Sequence, residues 1–414
     1  MTPSAHSHQK VLAILQAGGA GNRMDVLTRE RAKPALPFAA TFRLVDFALS
    51  AVAHAGFDDV WVSVQYQAGS LEDYLAGGRP WDLDRTRGGL RMRAPEQGSG
   101  SADQEGFARG NADGLYRLRD AICDLAPDVV AVLSCDSVMN PDLHALLTEH
   151  VERSAECTVL TSEVGPQEAR HNVVIETDAG GRVTSLASKP AHPSCNEVAT
   201  EVTLYDAEVL VTELERLRRE FDDCEEEADT GLGDFGDHLL PRMIERGRTH
   251  AMRLSGYWRD AGRPEAYLQA HRDLLRGRVD VFSEPGRPVL GRATLGPPAL
   301  IGEDARVQRS MIGPQSVVRG TVRDSVLGPR VVVESGAVVE DCVLLEDVVV
   351  RAGAHLASSV IDSGTRIGRG ARIGALHSAG PLGPDAMVLV GRDSTVGAGT
   401  NLEPGARLEP GTAA

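Results

Sequence analysis

The residues best suited to chemistry stand near the start of the chain. An apolar run, Val11 to Leu15, leads straight into Leu15-Gln16-Ala17-Gly18-Gly19-Ala20-Gly21-Asn22-Arg23-Met24. Glycines let backbone N–H groups approach a polyphosphate closely, and a helix start beyond such a turn adds positive potential. The same composition also serves a plain tight turn, and the segment lacks both the Lys-Ser/Thr pair of a P-loop and the full spacing of a dinucleotide fingerprint. Arg23 and Lys33, the latter in Arg31-Ala32-Lys33-Pro34, add two cations that can flank phosphates where charge develops. The segment therefore predicts a nucleotide-phosphate site with Ala17, Gly18, Gly19 and Gly21 as its backbone cradle.

Positioning such a turn requires a strand before it and helices around it. From Val11 to about Arg276, short β-branched runs alternate with longer helical stretches, which predicts an α/β domain with a largely parallel sheet. Val11–Leu15, Val60–Val64 and Val129–Leu133 read as strands, and Leu44–Ala55, Ala112–Leu125 and Asp142–Arg153 as helices, the last started by Asn140-Pro141. After about Ser283 the texture changes. Aliphatic-Gly pairs recur at Ile301-Gly302, Ile312-Gly313, Leu327-Gly328, Ile367-Gly368 and Ile373-Gly374, with apolar residues between them at near-hexad steps such as Ile361, Ile367 and Ile373. Each hexad supplies a short strand and a turn of a parallel β-helix, whose stacked coils bury the aliphatic positions together. Gly320–Ser325 and Leu376–Met387 interrupt the pattern and read as projecting loops, and the Gly-rich stretch past Met387 is not placed. The expected organisation is a tail over 1–10, an α/β domain over 11–276, a linker over 277–288 and a β-helix over 289–414.

Composition narrows the function. A chain of 414 residues exceeds one ordinary core, in line with two domains. The formal charge of −16 argues against a nucleic-acid or anionic-membrane binder, since phosphate backbones need a basic stripe. The six cysteines form no CxxC pair, which favours reduced thiols in a cytoplasm over disulfides or zinc. Val11–Leu15 is too short for a signal segment or a membrane span.

The Gly-rich motif with Arg23, then Lys33-Pro34, then Phe42-Arg43-Leu44-Val45-Asp46-Phe47 resembles the ADP-glucose pyrophosphorylases, the bacterial glucose-1-phosphate adenylyltransferases. The similarity continues in order through Ser63-Val64-Gln65-Tyr66-Gln67, Arg109-Gly110-Asn111-Ala112-Asp113, Leu133-Ser134-Cys135-Asp136, Ser188-Lys189-Pro190, Asp234-Phe235-Gly236-Asp237 and Tyr257-Trp258-Arg259-Asp260, covering nearly the whole chain. The resemblance implies a Rossmann-like nucleotidyltransferase domain with a mixed, mainly parallel sheet, followed by a left-handed parallel β-helix. It implies that Arg23 and Lys33 hold the triphosphate and, with Asp136, carry the catalysis. Asp136 and Asp260 would bind Mg²⁺ and Lys189 the sugar phosphate. By the same resemblance Gln97, Gly110 and Asp113 belong to the nucleotide side, and Thr200, Asp234 and Tyr257 to the sugar side. The implied reaction is NTP plus sugar 1-phosphate to NDP-sugar plus pyrophosphate. The implied assembly is a homo-oligomer, dimer or tetramer, through the β-helix.

Departures from the family pattern cluster on the sugar side. Its Gly-Asp is Cys135-Asp136, its Glu-Lys-Pro is Ser188-Lys189-Pro190, and its Ser-Met-Gly-Ile-Tyr strand aligns with Thr200-Glu201-Val202-Thr203-Leu204-Tyr205. Altered acceptor specificity is therefore a second expectation, for example a cyclitol phosphate such as valienol 1-phosphate, with GTP or ATP. Glu96, in the segment aligned with the base-contacting loop, is suited to guanine N1 and N2 and equally to a solvent-facing position. Two further classes stay open: a catalytically silent regulatory subunit, against which Arg23, Lys33, Asp136, Lys189 and Asp260 speak, and an acyltransferase using a coil histidine, His355 or His377.

Overall fold

The computed structural model describes residues 9–19, 21–95, 108, 110–221, 231–376 and 383–414. The strands of the first domain are β1 (Val11–Gln16), β2 (Pro37–Phe38), β3 (Phe42–Arg43), β4 (Asp59–Ser63), β5 (Gly89–Arg93), β6 (Val129–Ser134), β7 (Ser137–Met139), β8 (Cys157–Glu163), β9 (Val173–Thr177), β10 (Val183–Ser188), β11 (Glu197–Asp206), β12 (Thr249–Arg253) and β13 (Trp258–Asp260). The main sheet runs β10-β9-β11-β6-β1-β4-β5, with β8 on β11 and β12 on β8. β1 is parallel to β4 and β6, and β4 to β5, whereas β11 is antiparallel to β6 and β8. The mixed, mainly parallel sheet is thus as expected. β1 and β6 are buried along their lengths because helices cover both faces, which is why they read as continuous apolar runs and not as alternations.

Local differences from expectation have local causes. The helix Leu44–Ala55 is present, opened by Asp46, whose Oδ2 accepts from the Arg43 N–H at 2.8 Å, and closed by Gly56 at φ 71. The stretch Ala112–Leu125 is two helices, Asn111–Arg117 and Arg119–Leu125, because the Leu118 N–H tightens onto the Leu115 carbonyl at 3.0 Å. The next helix, Leu143–Glu152, is capped by Asp142, whose carboxylate accepts from the Ala145 N–H at 2.9 Å; Asn140-Pro141 lies before the cap.

The connection to the second domain is longer than expected. Residues 288–292 lie on the first domain: the Leu290 N–H donates to Ser50 Oγ at 2.8 Å and the Leu290 carbonyl accepts from Trp81 Nε1 at 3.2 Å. The coil start expected at residue 289 is therefore corrected to the first solenoid strand, Leu300–Ile301. From there Leu300, Val317, Val332, Val349, Arg366 and Thr395 stack in parallel register. Their neighbours Val318, Val333, Val350, Ile367 and Val396 turn inward and are fully buried. These stacked parallel strands are the expected left-handed β-helix. Gly320–Ser325 does not project as a loop. Thr321–Arg323 is a strand paired with Arg306–Gln308 and with Val338–Glu340, and its alternation puts Val322 inside. Past Met387 the coil continues through Val388–Val390, Thr395–Val396, Asn401–Leu402 and Arg407–Leu408; residues 377–382 of the other expected loop lie outside the described residues.

The two domains share one apolar cluster, in which Leu27, Phe38 and Tyr267 pack with Val343, Val360 and Leu389. A buried ion pair, Arg31 with Asp362, and a second, Arg272 Nε to Asp341 Oδ1 at 2.7 Å, cross the same junction. The β-helix thereby braces the segment that carries Lys33. No helix among the described residues is long and apolar enough to cross a membrane.

Candidate active site

Ligands of open α/β sheets bind outside the carboxyl ends of the strands. Here those ends, at β1 and β6, open on a cavity of about 440 Å³ lined by Ala17, Gly18, Gly19, Arg23, Lys33, Asp136, Lys189 and Asp260, among others. Gly18 lies against Gln65, where an added Cβ would fall 2.9 Å from Gln65 Nε2, while Gly19 faces open space. The turn thus presents backbone to the cavity on one side and packs on the neighbouring strand end on the other.

Asp136 is the second residue after β6. The antiparallel pairing of β7 with β13 sets Asp260 opposite Ser137, and the Ala261 N–H donates to the Asp136 carbonyl oxygen at 3.0 Å. Two acids remote in sequence are brought side by side in this way. Lys33 enters from the turn Lys33–Ala35 and pairs with Asp136, which also accepts from the Ser134 hydroxyl. Burial alone would lower the Lys33 pKa, yet Asp136 and Asp260 hold it above its ordinary value. Burial would raise Asp136, but the Lys33 ammonium holds it down. Asp260, buried beside a charged neighbour, is pushed up.

This donor set suits Mg²⁺. The ion favours one or two carboxylates and fills the rest of its shell with phosphate oxygens and water. Asp136 and Asp260 offer such a pair, and among the described residues no third His, Cys, Asp or Glu closes a cage around them.

Gly262 guards the arrangement. Its N–H donates to Asp260 Oδ1 at 2.7 Å, and a Cβ there would meet that oxygen at 2.7 Å and Lys33 Nζ at 3.1 Å. Gly262→Ala is expected to lower kcat/KM by about 10- to 100-fold through displacement of these groups, with little change in melting temperature. Steady-state kinetics beside a thermal melt checks this; an unchanged kcat/KM removes the positioning argument.

A model described as nucleotidyl transferase matches residues 12–277, and one described as GlmU-like, C-terminal hexapeptide matches residues 298–379. The chain belongs to the nucleotidyl transferase family. Among curated proteins it is 31% identical to a glucose-1-phosphate adenylyltransferase of Desulfitobacterium hafniense, over 90% of this chain and 92% of that protein. It is 31% identical to the enzyme of that name from Acetivibrio thermocellus over 89% and 84% of the two chains, and 32% identical to that of Bacillus licheniformis over 78% and 83%.

Within this nucleotidyltransferase the expected site residues divide. Ala17, Gly18, Gly19, Arg23, Lys33, Gly110, Asp136, Lys189, Asp234 and Asp260 all line the cavity. Lys189 is held at φ 46 while its N–H donates to the Asn172 carbonyl at 3.0 Å. Asp234 sits in a loop zipped to residues 110–112: the Asn111 N–H donates to Asp234 Oδ1 at 3.2 Å and Asn111 Oδ1 accepts from the Phe235 N–H at 2.6 Å. Gly110 is the residue this closeness demands, since a Cβ there would lie 2.2 Å from the Gly233 carbonyl oxygen.

Four expected residues do not line the cavity. Gly21, at φ 69, shapes the turn, and its carbonyl accepts from Thr28 Oγ1 at 2.9 Å. Asp113 is fully buried and paired with Arg117 at 3.1 Å. Thr200 is buried with Oγ1 donating to the Leu160 carbonyl at 2.9 Å, because β11 turns Ala199, Glu201 and Thr203 to the cavity instead. Tyr257 packs behind the site, where its hydroxyl donates to Asp273 at 3.0 Å and accepts from Arg259 Nε at 2.9 Å. Gln97 lies outside the described residues.

Gln65 and Glu201 are among the cavity residues that were not expected. Gln65, the second residue after β4, lines both this cavity and an adjoining one of about 210 Å³, and its Oε1 is buried without a hydrogen-bond partner among the described residues. Its place at a strand end beside the Gly-rich turn was the available signal. Glu201 stands in the cavity wall with its side chain open to the cavity, and desolvation there together with Asp136 and Asp260 pushes its carboxyl up to about 7. Nothing in the spacing of Thr200-Glu201-Val202 marks the acid as the inward member.

Proposed function

We propose that this nucleotidyltransferase joins a nucleoside triphosphate to a sugar 1-phosphate and releases pyrophosphate, with ATP and glucose 1-phosphate as the leading pair. The observation that carries the reading is the convergence of the Gly-rich turn, Arg23, Lys33, Asp136, Asp260 and Lys189 on one cavity. The names of the curated relatives support the choice of substrates.

In this reading an oxygen of the sugar phosphate attacks the α-phosphorus, a new P–O bond forms, and the bond to the β-phosphate oxygen breaks. The attacking oxygen is already anionic, so no general base is required and positioning with charge neutralisation carries the rate. The Gly18–Gly19 backbone and Arg23 hold the triphosphate, Lys33 meets the charge developing toward the leaving pyrophosphate, and Lys189 grips the acceptor phosphate as a long-stemmed point charge. Asp136 and Asp260 would hold Mg²⁺, which supplies Lewis-acid neutralisation of phosphate oxygens.

Assembly through the β-helix belongs to the proposal, supported by the exposed aliphatics Leu300, Ile301 and Val307 on the first coil. Sedimentation showing only monomer at working concentration would remove it. A cytoplasmic setting is proposed with it, in keeping with the buried free thiols of Cys135, Cys157 and Cys342.

The test is pyrophosphate release with Mg²⁺ across ATP, GTP, CTP and UTP against glucose 1-phosphate and valienol 1-phosphate. Turnover of ATP with glucose 1-phosphate is expected. Turnover of the cyclitol alone would reassign the acceptor, and release with no pair would overturn nucleotidyl transfer.

A further inference from the structure

Strand β11 leaves its ladder at one place. Its pairing with β8 shifts between Ala199 and Thr203, and inside that shift Glu201 adopts φ 61. A side chain with a Cβ takes this left-handed conformation at a cost, and such irregularities in a strand re-aim the residue they contain. Here the shift leaves Glu201 in the cavity wall between Ala199 and Thr203, with Asp136, Asp260 and Lys33 near enough to act on its charge.

The order of strands says which part of the cavity this is. From β1 outward the sheet runs β1, β6, β11, β9, β10. The phosphate turn follows β1, Asp136 follows β6, Glu201 rides on β11, and Lys189 follows β10. Glu201 therefore stands between the paired acids and the lysine assigned to the acceptor phosphate. Lys33 is already taken by Asp136, and among the described residues no arginine, lysine or histidine forms an ion pair with Glu201. Nor does Glu201 complete a metal cage with the two aspartates, since no such group of three exists among the described residues. Glu201 is open to the cavity beside two other acids, with the Ser134 hydroxyl as a hydrogen-bonding neighbour and no cation of its own, so its carboxylate has acceptor capacity to offer a group entering the cavity.

We propose that Glu201 reads the ring of the acceptor, its carboxylate accepting hydrogen bonds from hydroxyl groups of a polyhydroxylated ring whose phosphate lies on Lys189. The proposal rests on the nucleotidyl-transfer reading above and adds the residue that selects the acceptor. A carboxylate in this role favours rings rich in hydroxyl donors and disfavours deoxygenated ones, because removing the donor leaves the acid unpaired.

The experiment compares wild type with Glu201→Leu and Glu201→Gln in the full chain, using glucose 1-phosphate and its singly deoxygenated analogues, with KM for the nucleotide measured in parallel. Wild type should discriminate against the analogue lacking the read hydroxyl by about 10- to 100-fold in kcat/KM. Glu201→Leu should raise KM for glucose 1-phosphate by a similar factor, about 10- to 100-fold, and abolish that discrimination, while KM for the nucleotide stays within about 2-fold. Glu201→Gln keeps an acceptor oxygen and should recover much of both. An unchanged pattern across the analogues in Glu201→Leu overturns the assignment. An equal rise in both KM values does so too, since that is what loss of a merely structural acid produces. Circular dichroism of each variant separates misfolding from these outcomes, and Glu201→Gln, nearly isosteric, keeps the test usable if Glu201→Leu fails to fold. If wild type releases no pyrophosphate with any acceptor, nucleotidyl transfer itself fails and this inference goes with it; activity in wild type with unaltered variants sinks only the role of Glu201.

Discussion

Asp136→Asn is expected to reduce kcat by about 10³-fold, with the chain still folded but its melting temperature lowered, because the loss of one preorganised charge at a reacting phosphate costs on this order. The substitution is nearly isosteric, and the Ser134 hydroxyl that donates to Asp136 can still find an acceptor oxygen. What goes is the negative charge that holds Lys33 in place and that would share a metal with Asp260. Removing one of two neighbouring acids also relieves repulsion. The Asp260 pKa, now pushed up by burial and by Asp136, should fall toward its ordinary value, which leaves Asp260 as the remaining partner of the buried Lys33 and limits the stability lost with Asp136. Pyrophosphate release under a Mg²⁺ titration is the measurement. A kcat within about 10-fold of wild type would show that the transition state does not depend on this carboxylate.

Arg31→Met should cost about 3–5 kcal/mol of stability, the usual result of removing one partner from a buried ion pair and leaving the other charge unpaired. The side chains of Arg31 and Asp362 are only 7% and 2% exposed, so water cannot rescue Asp362. The double variant Arg31→Met/Asp362→Leu should recover most of the loss, because two apolar groups leave no buried charge behind. The pair joins the β-helix to the segment two residues before Lys33, so activity should also drop in Arg31→Met at temperatures where the chain remains folded. Denaturant unfolding of the full chain, with kinetics alongside, tests both parts. Single variants within about 1 kcal/mol of wild type would mean that solvent or a neighbouring group compensates the exposed charge.

Much of the site was legible because its parts are local. The Gly-rich turn had to follow a strand, and β1 ends at Gln16 where the run of apolar residues ends. Lys33-Pro34 and Ser188-Lys189 were readable as motifs and both line the cavity. The misses have one kind of cause. Thr200 and Asp113 were placed by alignment to a pattern, yet strand alternation and a buried bond to Arg117 turn them away. Tyr257 was placed on the sugar side by the same resemblance, but its hydroxyl bonds to Arg259 and Asp273 instead. Gln65 stood in a quoted motif beside the Gly-rich turn but received no role, and Glu201 was passed over because a lone acid within a strand carries no spacing signal.

The sequence by itself determined the two textures of the molecule, the order of its motifs and the place of the Gly-rich turn directly after the first strand. Strand and helix periods and the aliphatic hexads of a solenoid are properties of a few consecutive residues, and burying such repeats has few solutions. Only the tertiary structure decided which side chains share the cavity. The pairing of β7 with β13 brings Asp260 to Asp136, and the docking of the β-helix braces the Lys33 segment through Arg31 and Asp362. The shift in β11 chooses Glu201 over Thr200. In a strand, one residue of register exchanges the two faces, so the face a side chain takes is set by its partners and not by its own type.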